Sequence, residues 1–91
     1  MNRLKLEPRS GSHAVYTLDG REVHTDEELD YETPVGWVRG LFEWSGNLNQ
    51  WARLMVPYPN EQERWMIIVL PPEGARCRWP NHEAAPVPSR A

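Results

Sequence analysis

A mainly β fold within one small domain is what the sequence predicts, and three observations predict it. Asp19-Gly20 stands between two β-prone runs, His13-Ala14-Val15-Tyr16-Thr17-Leu18 and Arg21-Glu22-Val23-His24-Thr25. Apolar and polar residues alternate over residues 36–44 and again over 51–56, the period-2 signature of strands. Trp65-Met66-Ile67-Ile68-Val69-Leu70 is the densest apolar run, and its β-branched centre favours a strand covered on both faces. Ninety-one residues suit one domain with a thin core, to which five large tryptophans contribute burial.

The elements follow in chain order. Residues 1–12 hold Pro8 and Ser10-Gly11-Ser12 and read as a flexible arm or edge lead-in. Asp-Gly is the preferred two-residue hairpin turn because both central positions need positive φ, so an N-terminal hairpin is expected around Asp19-Gly20. Thr25-Asp26-Glu27-Glu28 has the form of a helix capping box, but Pro34 leaves such a helix little room. Leu29 and Tyr31 alternate with Asp30 and Glu32, which favours an acidic loop leading into a short strand.

In the next strand Val38, Gly40, Phe42 and Trp44 share one face, and Trp37, Arg39, Leu41 and Glu43 the other. Ser45-Gly46-Asn47 ends it with turn chemistry. Ala52, Leu54 and Val56 then oppose Trp51, Arg53 and Met55, and Pro57-Tyr58-Pro59-Asn60 stops that strand. Pro71-Pro72-Glu73-Gly74 turns the chain before Ala75-Arg76-Cys77-Arg78-Trp79 alternates once more. The domain is therefore expected over residues 13–80, with a disordered Pro- and Ala-rich tail over 81–91.

Composition excludes several classes. No apolar run is long enough for a membrane-spanning helix, and the first residues lack the apolar core of a secretory signal, so a cytoplasmic protein is expected. Cys77 is the single cysteine, which rules out an intramolecular disulfide and a cysteine-built metal site. His13, His24 and His82 lie apart with no metal-ligand spacing; His13 and His24 could meet across the hairpin as a polar pair. Neither a glycine-rich phosphate loop nor a nucleophile elbow is present. No catalytic residue, metal or cofactor is expected. The bias towards arginine, with Lys5 the one lysine, is what a GC-rich bacterial genome produces.

About five short antiparallel strands with turn signals between them suggest a small barrel or sandwich. A long acidic loop before the main meander, and a short connection before the last strand, resemble the layout of SH3 and Tudor-type barrels. Leu18-Asp19-Gly20, Gly36-Trp37-Val38-Arg39-Gly40-Leu41-Phe42-Glu43-Trp44 and Ala75-Arg76-Cys77-Arg78-Trp79-Pro80 carry a closer resemblance. Over residues 16–80 the chain resembles an uncharacterised family of small SH3-like domains carried on bacterial plasmids, phages and integrative elements. The acidic run, and Cys77 within the last motif, depart from that family's pattern. The resemblance implies a fold and a genomic setting, and no activity.

Two stretches are candidate partner-binding sites. Matching Val38, Gly40 and Phe42 to Ala52, Leu54 and Val56 as a core face puts Trp37, Arg39 and Leu41 on one second face with Trp51, Arg53 and Met55. Exposed, such a face has the aromatic and arginine content of an interface hot spot; covered, its tryptophans serve burial. Asp26, Glu27, Glu28, Asp30 and Glu32 could face a basic protein or mimic nucleic-acid phosphates, or form an ordinary solvated loop.

The expected function is a non-enzymatic protein-interaction module, an accessory or host-directed protein of a mobile element, of which an anti-CRISPR inhibitor is one concrete version. The alternative is a nucleic-acid-binding barrel using Arg39, Arg53, Arg64, Arg76 and Arg78 with Trp37, Trp51, Trp65 and Trp79, against which stands the formal net charge of −3. The chain is expected to be a monomer or a weak homodimer paired through an open β edge such as the first hairpin.

Overall fold

The computed structural model describes residues 3–11, 13–58, 61, 63–71 and 73–80. Within them the chain forms eight strands: β1 (Arg3–Pro8), β2 (Ala14–Leu18), β3 (Arg21–Glu22), β4 (Glu28–Thr33), β5 (Gly36–Glu43), β6 (Ala52–Pro57), β7 (Trp65–Leu70) and β8 (Glu73–Arg78). They build one antiparallel sheet in the order β3-β2-β1-β8-β4-β5-β6-β7, with β3 and β7 as its open edges. The expected small barrel of about five strands is thus corrected to one open antiparallel sheet of eight strands among the described residues.

The physical reason lies at the N-terminus. Arg3–Pro8, read as a loose arm, alternates Leu4 and Leu6 with charged neighbours, and β1 inserts between β2 and β8. Leu4 pairs with Leu18 and Leu6 with Tyr16, so the inner faces of β1 and β2 coincide. The tail from residue 81, with His82 and the proline-rich stretch 85–89, lies outside the described residues.

The expected hairpin is present. Leu18 pairs with Arg21 across Asp19 (φ 52°) and Gly20 (φ 81°), both in the left-handed region that a two-residue turn requires. The acidic stretch forms a turn and a strand. Asp26 N–H donates to the Phe42 carbonyl, and Phe42 N–H to that of Glu27, so two residues face one in a β-bulge. Asp26 takes the bulge's positive φ of 73°, which aspartate tolerates better than most side chains.

Every strand from β4 to β8 sends its alternate residues into the same core as Leu4, Tyr16 and Leu18: Leu29, Phe42, Leu54, Leu70 and Cys77 are all fully buried. Burying each of these leucines is worth about 2 kcal/mol. The sheet curls so that β2 reaches over β5 and β6. Tyr16 meets Phe42 edge-on at 5.5 Å and Trp44 at 4.7 Å, and the Ala52 backbone hydrogen-bonds its phenol oxygen. Burial raises the Tyr16 phenol above its ordinary pKa despite that bond. Trp79 closes the other side by donating from Nε1 to the Leu18 carbonyl at 3.0 Å.

The expected match of β5 to β6 holds: Phe42 faces Leu54, with both in the core. Gly40 is needed where it stands, because a Cβ there would lie 2.6 Å from the Met55 carbonyl oxygen and 2.8 Å from Leu54 Cγ. The expectation for β7 fails. Ile67 and Val69 are each 52% exposed, so one face is left uncovered, and the strand also has β6 as its only ladder neighbour. An apolar β-branched run is compatible with a covered central strand, but here it is an edge.

Gly40→Ala is expected to destabilise the fold by about 2 kcal/mol through overpacking against backbone. Urea unfolding should show a lower midpoint with an unchanged slope.

Candidate interaction surface

The face opposite the core divides into an ionic half and an apolar half. The ionic half spans β8, β4 and the start of β5. Asp30 of β4 is paired in register with Arg39 on β5 and with Arg78 on β8. Arg39 Nε donates to Oδ1 at 2.8 Å and Arg78 Nε to Oδ2 at 3.0 Å, so one buried carboxylate (3% exposed) is shared by two guanidinium groups. Arg78 also lies over the Trp37 ring, its guanidinium carbon 4.2 Å from the centroid. Arg76 bonds Glu32 at 3.0 Å one step along. Burial pushes the Asp30 carboxyl up, but the hydrogen bonds and charges of Arg39 and Arg78 outweigh it and hold the carboxyl below the usual carboxylate range. The Asp30 carboxylate correspondingly raises Arg39.

The apolar half spans β5, β6 and β7. Leu41 pairs with Met55, and Met55 with Ile67; Arg53 pairs with Val69 on one side and Glu43 on the other. Leu41 is buried, Met55 half-buried, and Ile67 and Val69 half-exposed. Trp51, just before β6, adds an aromatic surface that is 55% exposed. Beside it a depression lined by Trp44, Ser45, Gln50, Trp51, Arg53 and Val69 continues the patch. Its wall is held by Trp44 Nε1, which donates to the Gln50 carbonyl at 2.9 Å, and by Ser45 bonded to the Gln50 side chain at 2.8 Å.

The expected platform is therefore distributed differently. Trp37 and Trp51 occupy opposite ends of the same face, one under Arg78 and the other beside the depression. Arg39 is bound to Asp30 and Arg53 to Glu43, while Leu41 is out of reach of a partner. Of the six residues grouped by alternation, Trp51, Arg53 and Met55 border the apolar patch. Ile67 and Val69 complete it, and sequence reasoning missed them because their run was read as covered.

The acidic stretch is likewise divided. Glu27 bonds Arg21 at 2.9 Å and accepts from the His24 backbone N–H at 2.8 Å; Asp30 and Glu32 meet the arginines of β5 and β8. Asp26 is at the bulge, and Glu28 faces Leu41 across the ladder. This charge run is mostly a set of cross-strand ion pairs. Arg39, Arg53, Arg64, Arg76 and Arg78, the candidate phosphate contacts, each have a carboxylate partner.

His24 sits between Glu22 and Glu27, at 2.7 Å and 3.2 Å, as a polar contact of the hairpin. Among the described residues no group of three or more His, Cys, Asp or Glu could hold a metal ion. Cys77 is buried in the core, and burial pushes its thiol up to about 12, so it is protonated at neutral pH. No helix among the described residues is long and apolar enough to cross a membrane.

Comparison with protein-family models, with curated proteins and with solved structures gives no match.

Asp30→Asn should cost about 3 kcal/mol, since it leaves two guanidinium groups without their buried counter-charge. Because the folded carboxyl titrates below its unfolded value, its stabilisation is complete above about pH 4 and is lost as pH falls through the folded pKa. Thermal melts should therefore show the wild type losing more stability than Asp30→Asn between about pH 5 and pH 2.

Proposed function

We propose that this domain is a non-enzymatic protein-interaction module, and that its contact surface is the apolar patch around Trp51, Met55, Ile67 and Val69. One observation carries the reading: large apolar side chains stand exposed together on one sheet face, beside a depression with an aromatic wall. Contiguous exposed apolar surface rimmed by polar groups is the composition of a protein contact, and a partly exposed tryptophan is the most frequent kind of anchor. Arg53 and Glu43 form the polar rim.

Contact through the acidic run has less support, because most of its carboxylates already have arginine partners within the domain. The same pairing weakens a nucleic-acid reading, which needs a coherent face of uncompensated cations. The biological setting proposed is that of an accessory or host-directed protein of a mobile element, an anti-CRISPR-type inhibitor being one instance. It rests on the sequence resemblance alone.

The test is a pull-down from host lysate, with and without nuclease treatment, using tagged wild type beside Trp51→Ala, whose side chain is exposed enough to leave the fold intact. A specific protein held by the wild type and bound at least about tenfold more weakly by Trp51→Ala is the expected result, a loss of roughly 1.4 kcal/mol or more. Recovery of nucleic acid alone, abolished by nuclease, would overturn the reading.

A further inference from the structure

We propose that β7 is covered in solution by β7 of a second copy, the two strands antiparallel about a two-fold axis perpendicular to the sheet. The inference goes beyond the binding function proposed above and does not depend on what the patch engages.

An open sheet has two edges, and these two differ. The β3 edge is two residues long and charged at both, with Arg21 tied to Glu27 and stacked 4.1 Å over Trp79. Short, charged and engaged, it has the features that keep an edge from pairing. The β7 edge has none of them. Its six residues carry no charge and no proline, and its register against β6 runs unbroken from Trp65 opposite Pro57 to Leu70 opposite Ala52. Met66, Ile67 and Val69 are exposed on it at 40%, 52% and 52%. A regular, uncharged, apolar edge is a template for another strand.

The occupant follows from self-complementarity. The two-fold keeps both outer faces on the same side. With the axis at Ile67, that residue meets its own copy and Trp65 meets Val69; with the axis at Ile68, Ile67 meets Val69. In either register only apolar side chains oppose one another on the outer face, which is what adjacent strands reward. Arg64 of each copy is directed towards the other's Leu70 end, so like charges do not confront each other. Pairing of β7 with the β3 edge of another copy would build an open filament, and the two residues of β3 are too few to hold it. The β7 pairing closes on itself. It also joins the two apolar patches across the axis, so each copy extends the contact surface of the other.

A six-residue strand pair is small beside the ~800 Å² per partner of a standard interface, so the dimer is weak and concentration-dependent. The experiment is sedimentation equilibrium of the full chain from about 1 µM to about 500 µM. The apparent mass should rise towards twice that of the monomer, and Ile67→Lys should weaken association at least about tenfold by placing like charges near the axis. Val35→Lys, at the exposed β4–β5 turn, should leave association unchanged. Hydrogen exchange on the wild type supplies a second readout needing no variant: β7 amides should gain protection with concentration, and β3 amides should not. A monomer at every concentration, association unaffected by Ile67→Lys, or growth beyond the dimer each overturns the proposal. Trp51→Ala, just before β6 and off the paired edge, should leave self-association unchanged while weakening partner capture, so failure of either reading shows separately.

Discussion

Asp30 holds the sheet together where β8 joins the β4–β7 meander. Among the described residues the strand ladder joins the three N-terminal strands to the β4–β7 meander only through β8, and β8 meets β4 over two register pairs, Asp30 with Arg78 and Tyr31 with Cys77. A ladder that short is a weak join on backbone hydrogen bonds alone. Two further contributions reinforce it on opposite faces. Cys77 is buried in the core, and on the outer face the Asp30 carboxylate draws Arg78 from β8 and Arg39 from β5 to one point. Charge-assisted bonds at 2.8 Å and 3.0 Å around a desolvated carboxylate are stronger than neutral ones. They also set register, since a slip of β8 by one residue would turn Arg78 into the core.

That requirement shapes the surface left for function. Placing Asp30, Glu32, Arg39, Arg76, Arg78 and Trp37 in one structural cluster uses much of the charge and one of the tryptophans for assembly of the fold. What remains accessible is the other end of the same face, where β6 and β7 present Met55, Ile67, Val69 and the neighbouring Trp51. The division has an energetic basis: a thin-cored domain gains from every buried aromatic and every satisfied ion pair. The exposed apolar side chains of β7 make no such internal contribution, in contrast to the more conspicuous charge run.

Much of this was legible from residue patterns, element by element. Alternation located β5, β6 and β8 to within a residue or two, and placed Phe42 opposite Leu54 in the core. It did not locate β1, because the breakers Pro8 and Gly11 made residues 1–12 read as an arm although Leu4 and Leu6 alternate with charged neighbours. The acidic run could not be read in the same way. Its charges look alike in sequence, yet Asp30 is buried and bonded to a residue 48 positions away, while Asp26 forms an exposed bulge.

The sequence by itself determined what depends on local backbone geometry and on side-chain period. Asp19-Gly20 makes its turn because few other residue pairs accept positive φ twice in succession, and the period of two assigns each strand an inner and an outer face. Only the tertiary structure decided which strand lies beside which. That order makes Trp65–Leu70 an edge rather than a covered centre, and brings Arg78 to Asp30 instead of to solvent. Coverage of a strand's flank is supplied by residues far away in the chain, and an apolar run has the same composition whether one neighbour or two will pair with it.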